Sequence, residues 1–189
     1  MGPVLRAATV ATLALMVLTG LAYPLAVTGV SQLFWPRAAN GSLALADGGV
    51  VGSELIGQAF ADPRSFWGRP SAAGSGYDPQ ASSPSNLGPT SQKLADSFGV
   101  EAAKARADGV VGPIPADRLT GSGSGLDPDI SIENALGQCA RVARARGLGA
   151  DRVRALVQAH VQGRSLGLFG EPRVNVLELN RAVLDIEPR

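Results

Sequence analysis

The chain has 189 residues, of which 45% are hydrophobic, 17% charged and 5% aromatic, enough for one ordinary domain with an attached segment. The thirty residues between Arg6 and Arg37 carry no charge, and beyond Trp35 sixteen basic side chains are balanced by sixteen acidic ones. That neutral remainder argues against a nucleic-acid partner, while one cysteine (Cys139) and one histidine (His160) exclude an internal disulfide and multi-histidine metal sites.

Ala7 to Val30 is a run of 24 uncharged, mostly apolar positions. As a helix it would span roughly 36 Å, enough for a ~30 Å hydrocarbon core. The run exceeds the apolar core of a signal peptide, about 7–15 residues. We therefore read residues 1–36 as an uncleaved transmembrane anchor and 37–189 as one soluble domain. Phe34 and Trp35 fit an interfacial belt. Pro24, inside the run, predicts a kink or a freed carbonyl. Ala7, Ala11 and Ala14 share one face at helical spacing. They suit close packing in lipid, or reflect an alanine-rich composition. Positive-inside counting over Arg6, the amino terminus and Arg37 places the N-terminus in the cytoplasm and the soluble part outside.

The soluble part opens on a hairpin pattern, Ala38 to Val51, turning at Asp47-Gly48-Gly49. Gly52 to Phe60 is ambiguous between strand and helix. Asp62 to Pro89 is long, Pro- and Ser-rich and loop-like. Phe66, Trp67 and Tyr77 predict that it packs onto something. Lys93 to Ala107 reads as helix. An irregular stretch follows, from Asp108 to Pro115. Ser131 is a helix N-cap, with Ile132, Ala135, Leu136, Cys139, Val142 and Ala143 on one face and Gly147 and Gly149 at its end. Asp151 is placed as the cap of a further helix, with Val153, Leu156, Val157, His160 and Val161 inward. Arg173 to Val176 reads as extended and Val176 to Leu184 as helix. The class is α+β, or mixed α/β, with a small sheet.

Few motifs carry chemistry by themselves. Gly121, Gly123 and Gly125 lie in GSGSG, whose bare N–H groups could cradle a phosphate. The stretch matches no phosphate-binding or nucleophile-elbow fingerprint, and a flexible turn before a helix is favoured. Asp127 and Asp129 could act as metal or acid–base carboxylates, but a role at the helix N-terminus is favoured. Gln138 and Arg141 are three apart and could hold a phosphate or carboxylate together; solvated helix-face residues are the plainer reading. His160 reads as a half-buried structural histidine and Cys139 as a small hydrophobe. Asn175, Glu178 and Asn180 could bond backbone edges in a loop.

Six stretches in a fixed order carry a resemblance: Gly52–Gln58 (GSELIGQ), Phe66–Ala72 (FWGRPSA), Ser85–Thr90 (SNLGPT), Thr120–Ser131 (TGSGSGLDPDIS), Gln138–Gly147 (QCARVARARG) and Gly170–Asn180 (GEPRVNVLELN). In these the chain resembles the KdpC family, accessory subunits of the bacterial ATP-driven potassium uptake complex. The resemblance implies a single-span protein of the inner membrane. It implies partners: a channel-like potassium-binding subunit, a P-type ATPase subunit, often a small fourth subunit, and the lipid bilayer. Potassium is then the ion the complex transports. The resemblance also implies a catalytic chaperone that raises the ATP affinity of the ATPase subunit. It links the Q-x-x-R pattern, here Gln138 and Arg141 preceded by the Gly121–Gly125 loop, to nucleotide binding. Arg69, Asn86, Asp127 and Asn175, inside the matching stretches, become candidates for partner contact. The D-K-T-G of a phosphorylated pump subunit is absent from the sequence, so this chain can assist the phosphorylation cycle but not run it. With the soluble part outside, where no ATP is available, the ATP effect is expected to be indirect. Two other classes stay open: an anchored hydrolase, which would need a nucleophile–base pair that the inward His160 does not offer, and an anchored extracytoplasmic scaffold or adhesion module.

Overall fold

A computed structural model describes residues 2–46 and 48–186. The chain divides after Leu43 into two compact units.

The first unit is built on the uncharged run. Helix α1 (Pro3–Val17) passes through a π-helical turn, Leu18–Ala22, into α2 (Tyr23–Phe34). Together they form a 32-residue helix holding an 18-residue stretch of mean hydropathy 2.0, long and apolar enough to cross a bilayer. The π turn sits just before Pro24. A proline lacks an N–H and crowds the carbonyl four residues back. The wider turn, in which the Tyr23 N–H donates to the Leu18 carbonyl, takes up that mismatch. A single turn, α3 (Pro36–Ala39), follows Trp35.

The second unit starts in the hairpin of β1 (Leu43–Ala46) and β2 (Gly49–Ser53). Asp47 of the expected turn lies outside the described residues. Gly52 and Ser53 end β2. Beyond them residues 54–91 are mostly irregular, with one 3₁₀ turn at Pro79–Ala81. Then come α4 (Gln92–Ala107) and the single turn α5 (Ala116–Leu119). The remainder folds as β3 (Asp129–Ile130), α6 (Ile132–Arg146), α7 (Ala150–Ala159), β4 (Val161–Gln162), β5 (Arg173–Asn175) and α8 (Val176–Leu184). β5 is central in an antiparallel sheet ordered β3-β5-β4, with Ile130 and Val161 both opposite Val174. The class is mixed helix and sheet, as the pattern predicted.

α6 owes its ends to two local signals. The Ser131 hydroxyl accepts from the Asn134 N–H at 3.1 Å, and Gly147 closes the helix with φ of +67°. Ala135, Cys139, Val142 and Ala143 from its apolar face are buried with Val153 and Val157 of α7, Leu179 and Val183 of α8, and Phe66. α7 departs from expectation. Its cap is Gly149, and Asp151 sits in the first turn, paired with Arg154 at 2.8 Å. The carboxylate thus meets the positive helix end and a basic neighbour one turn on.

Candidate functional site: a buried glutamine–arginine cluster beneath Trp67

α6 carries Gln138 and Arg141 on its inner side, where they are 0% and 7% exposed. The solvated helix-face reading is therefore wrong for both. A helix stripe next to an apolar face turns inward when a neighbouring segment offers polar backbone to satisfy it. That segment is residues 62–69. The Gln138 amide makes every hydrogen bond it can. Its Oε1 accepts from the Trp67 N–H at 2.8 Å and from Arg141 Nη2 at 2.7 Å, and its Nε2 donates to the Trp67 carbonyl and Asn134 Oδ1, both at 3.0 Å. Asn180 of α8 does the same for the preceding residue, accepting from the Phe66 N–H at 2.6 Å and donating to its carbonyl at 2.9 Å. Two amides from separate helices thus replace the strand that this irregular segment lacks.

The Arg141 guanidinium is held by both of its Nη atoms. Nη1 donates to the Pro63 and Ser65 carbonyls at 2.5 and 2.9 Å. Nε lies 3.3 Å from Asp108 Oδ1 as a charge pair, without hydrogen-bond alignment. The guanidinium plane stacks on the Trp67 ring at 3.7 Å, and Arg118 approaches the same ring at 5.5 Å. Asp108 also bonds Arg118 directly, both being nearly fully buried. Burial pulls the Arg141 pKa below its ordinary value, and Asp108 opposes that pull. Asn180 bonds the backbone of a loop, as the sequence allowed, and Trp67 packs as expected; Asp108 and Arg118 join the cluster without having been indicated. The missing signal was local: Asp108 ends α4 and Arg118 lies in the single turn α5, too short for periodicity to set a face.

The other candidates lie elsewhere in the unit. Arg69 Nη1 pairs with Asp127 Oδ2 at 2.9 Å, while its Nη2 and Nε reach the Gly121 and Thr120 carbonyls at 3.1 and 3.3 Å. This joins the FWGRPSA stretch to TGSGSGLDPDIS. Asp127 and Asp129 do not cap α6. Asp127 holds Arg69, Asp129 pairs with Arg173 at 2.8 Å, and Asp117 supports the α6 cap by accepting from the Ser131 N–H and hydroxyl, each at 2.8 Å. Burial raises the Asp129 carboxyl pKa, against the lowering pull of Arg173.

The GSGSG stretch is a tethered loop, not a free turn. Ser71 Oγ donates to the Gly125 carbonyl at 2.6 Å, the Gly125 N–H to Ser122 Oγ at 2.9 Å, and Ser82 Oγ to the Ser124 carbonyl at 2.9 Å. Gly125 has φ of +69°, and a Cβ there would meet the Ser83 carbonyl at 2.7 Å, so only glycine fits. Gly121 and Gly123 are exposed. Among the described residues no hydrogen bond links this loop to Gln138 or Arg141. Asn175 is buried, caps α8 by accepting from the Glu178 N–H at 3.1 Å, and donates to the Glu54 carbonyl at 2.9 Å. Asn86 is exposed with φ of +53°. His160, half-buried, holds the Leu156 carbonyl at 2.9 Å through Nδ1. An open cleft of about 650 Å³ adjoins the cluster, lined in part by Phe60, Trp67, Arg69, Tyr77, Lys104 and Arg118.

Two comparisons with known proteins agree. The family model described as "KdpC: K+-transporting ATPase, c chain" matches residues 5–185. Among similar relatives, a potassium-transporting ATPase KdpC subunit from Caulobacter vibrioides is 58% identical over 180 residues, covering 95% of this chain and 91% of its own length. One from Allorhizobium ampelinum is 55% identical over 95% of this chain and 94% of its own length. One from Myxococcus xanthus is 56% identical over 89% of this chain and 81% of its own length. With its order of motifs, its apolar N-terminal helix and a family match over nearly its whole length, the chain belongs to the KdpC family.

Proposed function

We propose that this chain is the accessory subunit of an ATP-driven potassium uptake complex. One span holds it in the inner membrane, with its N-terminus in the cytoplasm and its second unit outside. There it docks on a channel-like potassium-binding subunit, with a P-type ATPase subunit and a small fourth subunit in the same complex. Its catalytic-chaperone effect on ATP affinity is then transmitted through the assembly. The observation that carries this reading is the burial and internal engagement of the Q-x-x-R pair. All four hydrogen bonds of Gln138 are made inside the chain, both Nη atoms and the stacking face of Arg141 are engaged there, and its Nε lies against Asp108 as a charge pair. A nucleotide could claim them only by breaking the clamp on Trp67. Their role is to hold the 62–69 segment in place. Docking has a surface to use. The turn from Arg164 to Glu171 exposes Leu166, Leu168 and Phe169 at 89%, 74% and 64%, more apolar area than a lone surface residue leaves in water.

The test is where the second unit lies in the assembled complex. Lys93 is exposed on α4, and Cys139 is buried with its thiol pushed up to about 11 by desolvation, so Lys93→Cys supplies the reactive thiol. A maleimide that cannot cross the inner membrane is expected to label it in cells whose outer membrane alone is permeabilised. Labelling only after lysis, in a complex that still co-purifies, would overturn the docking-outside reading and return direct nucleotide contact to the front. Failure to co-purify with any pump subunit would leave an anchored scaffold instead.

A further inference from the structure

The β1–β2 hairpin is patterned the wrong way for a strand pair that faces water. Period-2 alternation in a half-buried hairpin sets apolar residues inward and polar ones outward. Here the buried position is the small Ala44, at 1% exposure, and the positions left outside are large: Leu45 and Val50 are each 60% exposed and Leu55, just past β2, is also 60% exposed. Val51 and Ile56 are 43% and 40% exposed. Between Ala38 and Ser53 the sequence carries a single charge, Asp47, next to the turn. Such a patch calls for an apolar neighbour.

We infer that the hairpin lies in the membrane–water interface, its outer side against lipid. The chain brings that neighbour within reach itself. The apolar helix ends at Phe34 and β1 begins at Leu43. Of the eight residues between, the four of α3 rise about 1.5 Å each and the other four at most about 3.4 Å, so the hairpin is tied within roughly 20 Å of the hydrocarbon edge. The interfacial layer is about 6 Å deep on each side and still holds water, so exposed strand edges are tolerated there while Leu and Val side chains gain contact with acyl chains. The charges near the patch, Asp47 by the turn, Glu54 before Leu55 and Arg181, which donates to the Leu45 carbonyl at 3.1 Å, suit a layer that still holds water and headgroups better than the hydrocarbon itself. The Arg164–Glu171 turn has no such tether: more than a hundred residues separate it from the apolar helix. The hairpin inference rests on the membrane span alone and holds for either side of the membrane.

Full-length chain carrying Val50→Cys, labelled with bimane, would be reconstituted in phosphatidylcholine vesicles. Spin-labelled lipid with the doxyl group at acyl carbon 5 is expected to quench it several-fold more than bimane at Lys93→Cys. Aqueous iodide is expected to show the reverse order. Equal quenching of both sites by iodide, with no lipid effect at Val50, would overturn the inference. So would loss of lipid quenching when the partner subunits are added, since protein would then cover the hairpin. Leu45→Asp leaves the buried side of the hairpin untouched and should lower lipid quenching of a label at Leu55→Cys; unchanged quenching would also count against it.

Discussion

Gln138 and Arg141 are close in sequence and act as one unit on a segment some seventy residues away. Arg141→Ala would leave the Pro63 and Ser65 carbonyls without their donor and Asp108 with Arg118 alone. Loss of a buried charge partner of this kind costs about 3–5 kcal/mol. Gln138→Ala leaves the Trp67 N–H and carbonyl unpaired, at about 1–3 kcal/mol for each buried group. Because the two side chains bond each other, the double variant should lose less than the sum of the singles. Trp67 fluorescence during thermal unfolding of the full chain in detergent would read all three. A nucleotide-ligating pair would behave otherwise: ATP affinity of the complex would fall with stability unchanged. Tyr77 gives a pH signature at the same scale. Burial, and then the Asp127 charge, push its phenol up to about 12, against the pull of Arg69, and its hydroxyl donates to the Arg69 carbonyl at 2.6 Å. The folded chain therefore holds this proton more tightly than the unfolded chain, whose tyrosines ionise near about 10. The stabilisation is complete below about pH 10 and is lost as the pH climbs toward about 12. Unfolding measured across that window should show a fall in the parent that is smaller in Tyr77→Phe.

Among the elements, the turn from Arg164 to Glu171 is built to hold its shape. The Ser165 N–H meets the Phe169 carbonyl at 2.9 Å and the Phe169 N–H returns to the Ser165 carbonyl at 3.0 Å, with Gly167 and Leu168 bonded back to Arg164 and Ser165. Leu166 takes a left-handed φ of +54°, unusual for a branched residue. A preformed apolar tip loses little freedom on docking. Phe169→Asp or Leu168→Asp should leave the unfolding temperature of the chain within a degree or two, since neither side chain is buried, while lowering its co-purification with the pump subunits about tenfold, as loss of one well-packed anchor does. Unchanged recovery of the complex would remove the tip from the interface. The elements also divide by how readable they were. α6 announces itself through 3.6-residue periodicity and the cap Ser131, both local signals, whereas Asn175, which the structure makes the cap of α8, reads in sequence as a loop or partner contact. Residues 62–89 gave only their proline content and three aromatics. Residues 63–67 are held by Gln138, Asn180 and Arg141, and Ser71 and Ser82 bond the Gly121–Gly125 loop, all far away in sequence, and no window of neighbouring residues contains that information.

At the scale of the whole chain, length and charge placement indicated an apolar anchor followed by one neutral domain; the chain forms a 32-residue apolar helix and, beyond Leu43, a unit of mixed helix and sheet. The site was half legible. The Q-x-x-R spacing put both side chains on one face, but not whether that face met water, because the deciding partners are backbone groups of an irregular loop. Asp127 misled for a related reason: its neighbour in space, Arg69, is fifty-eight residues away. The apolar helix yields one more consequence. An α-helix turns about 100° per residue, so the extra residue taken up by the π turn at Leu18–Ala22 rotates everything beyond it by that amount relative to what precedes it. The small-residue face of Ala7, Ala11 and Ala14 then runs on toward Ala26 instead of Leu25, and Gly29 leaves that line. The apolar helix thus has two halves that look in different directions, so in a bilayer a neighbour gripping the alanine face of one half need not be the neighbour met by the other.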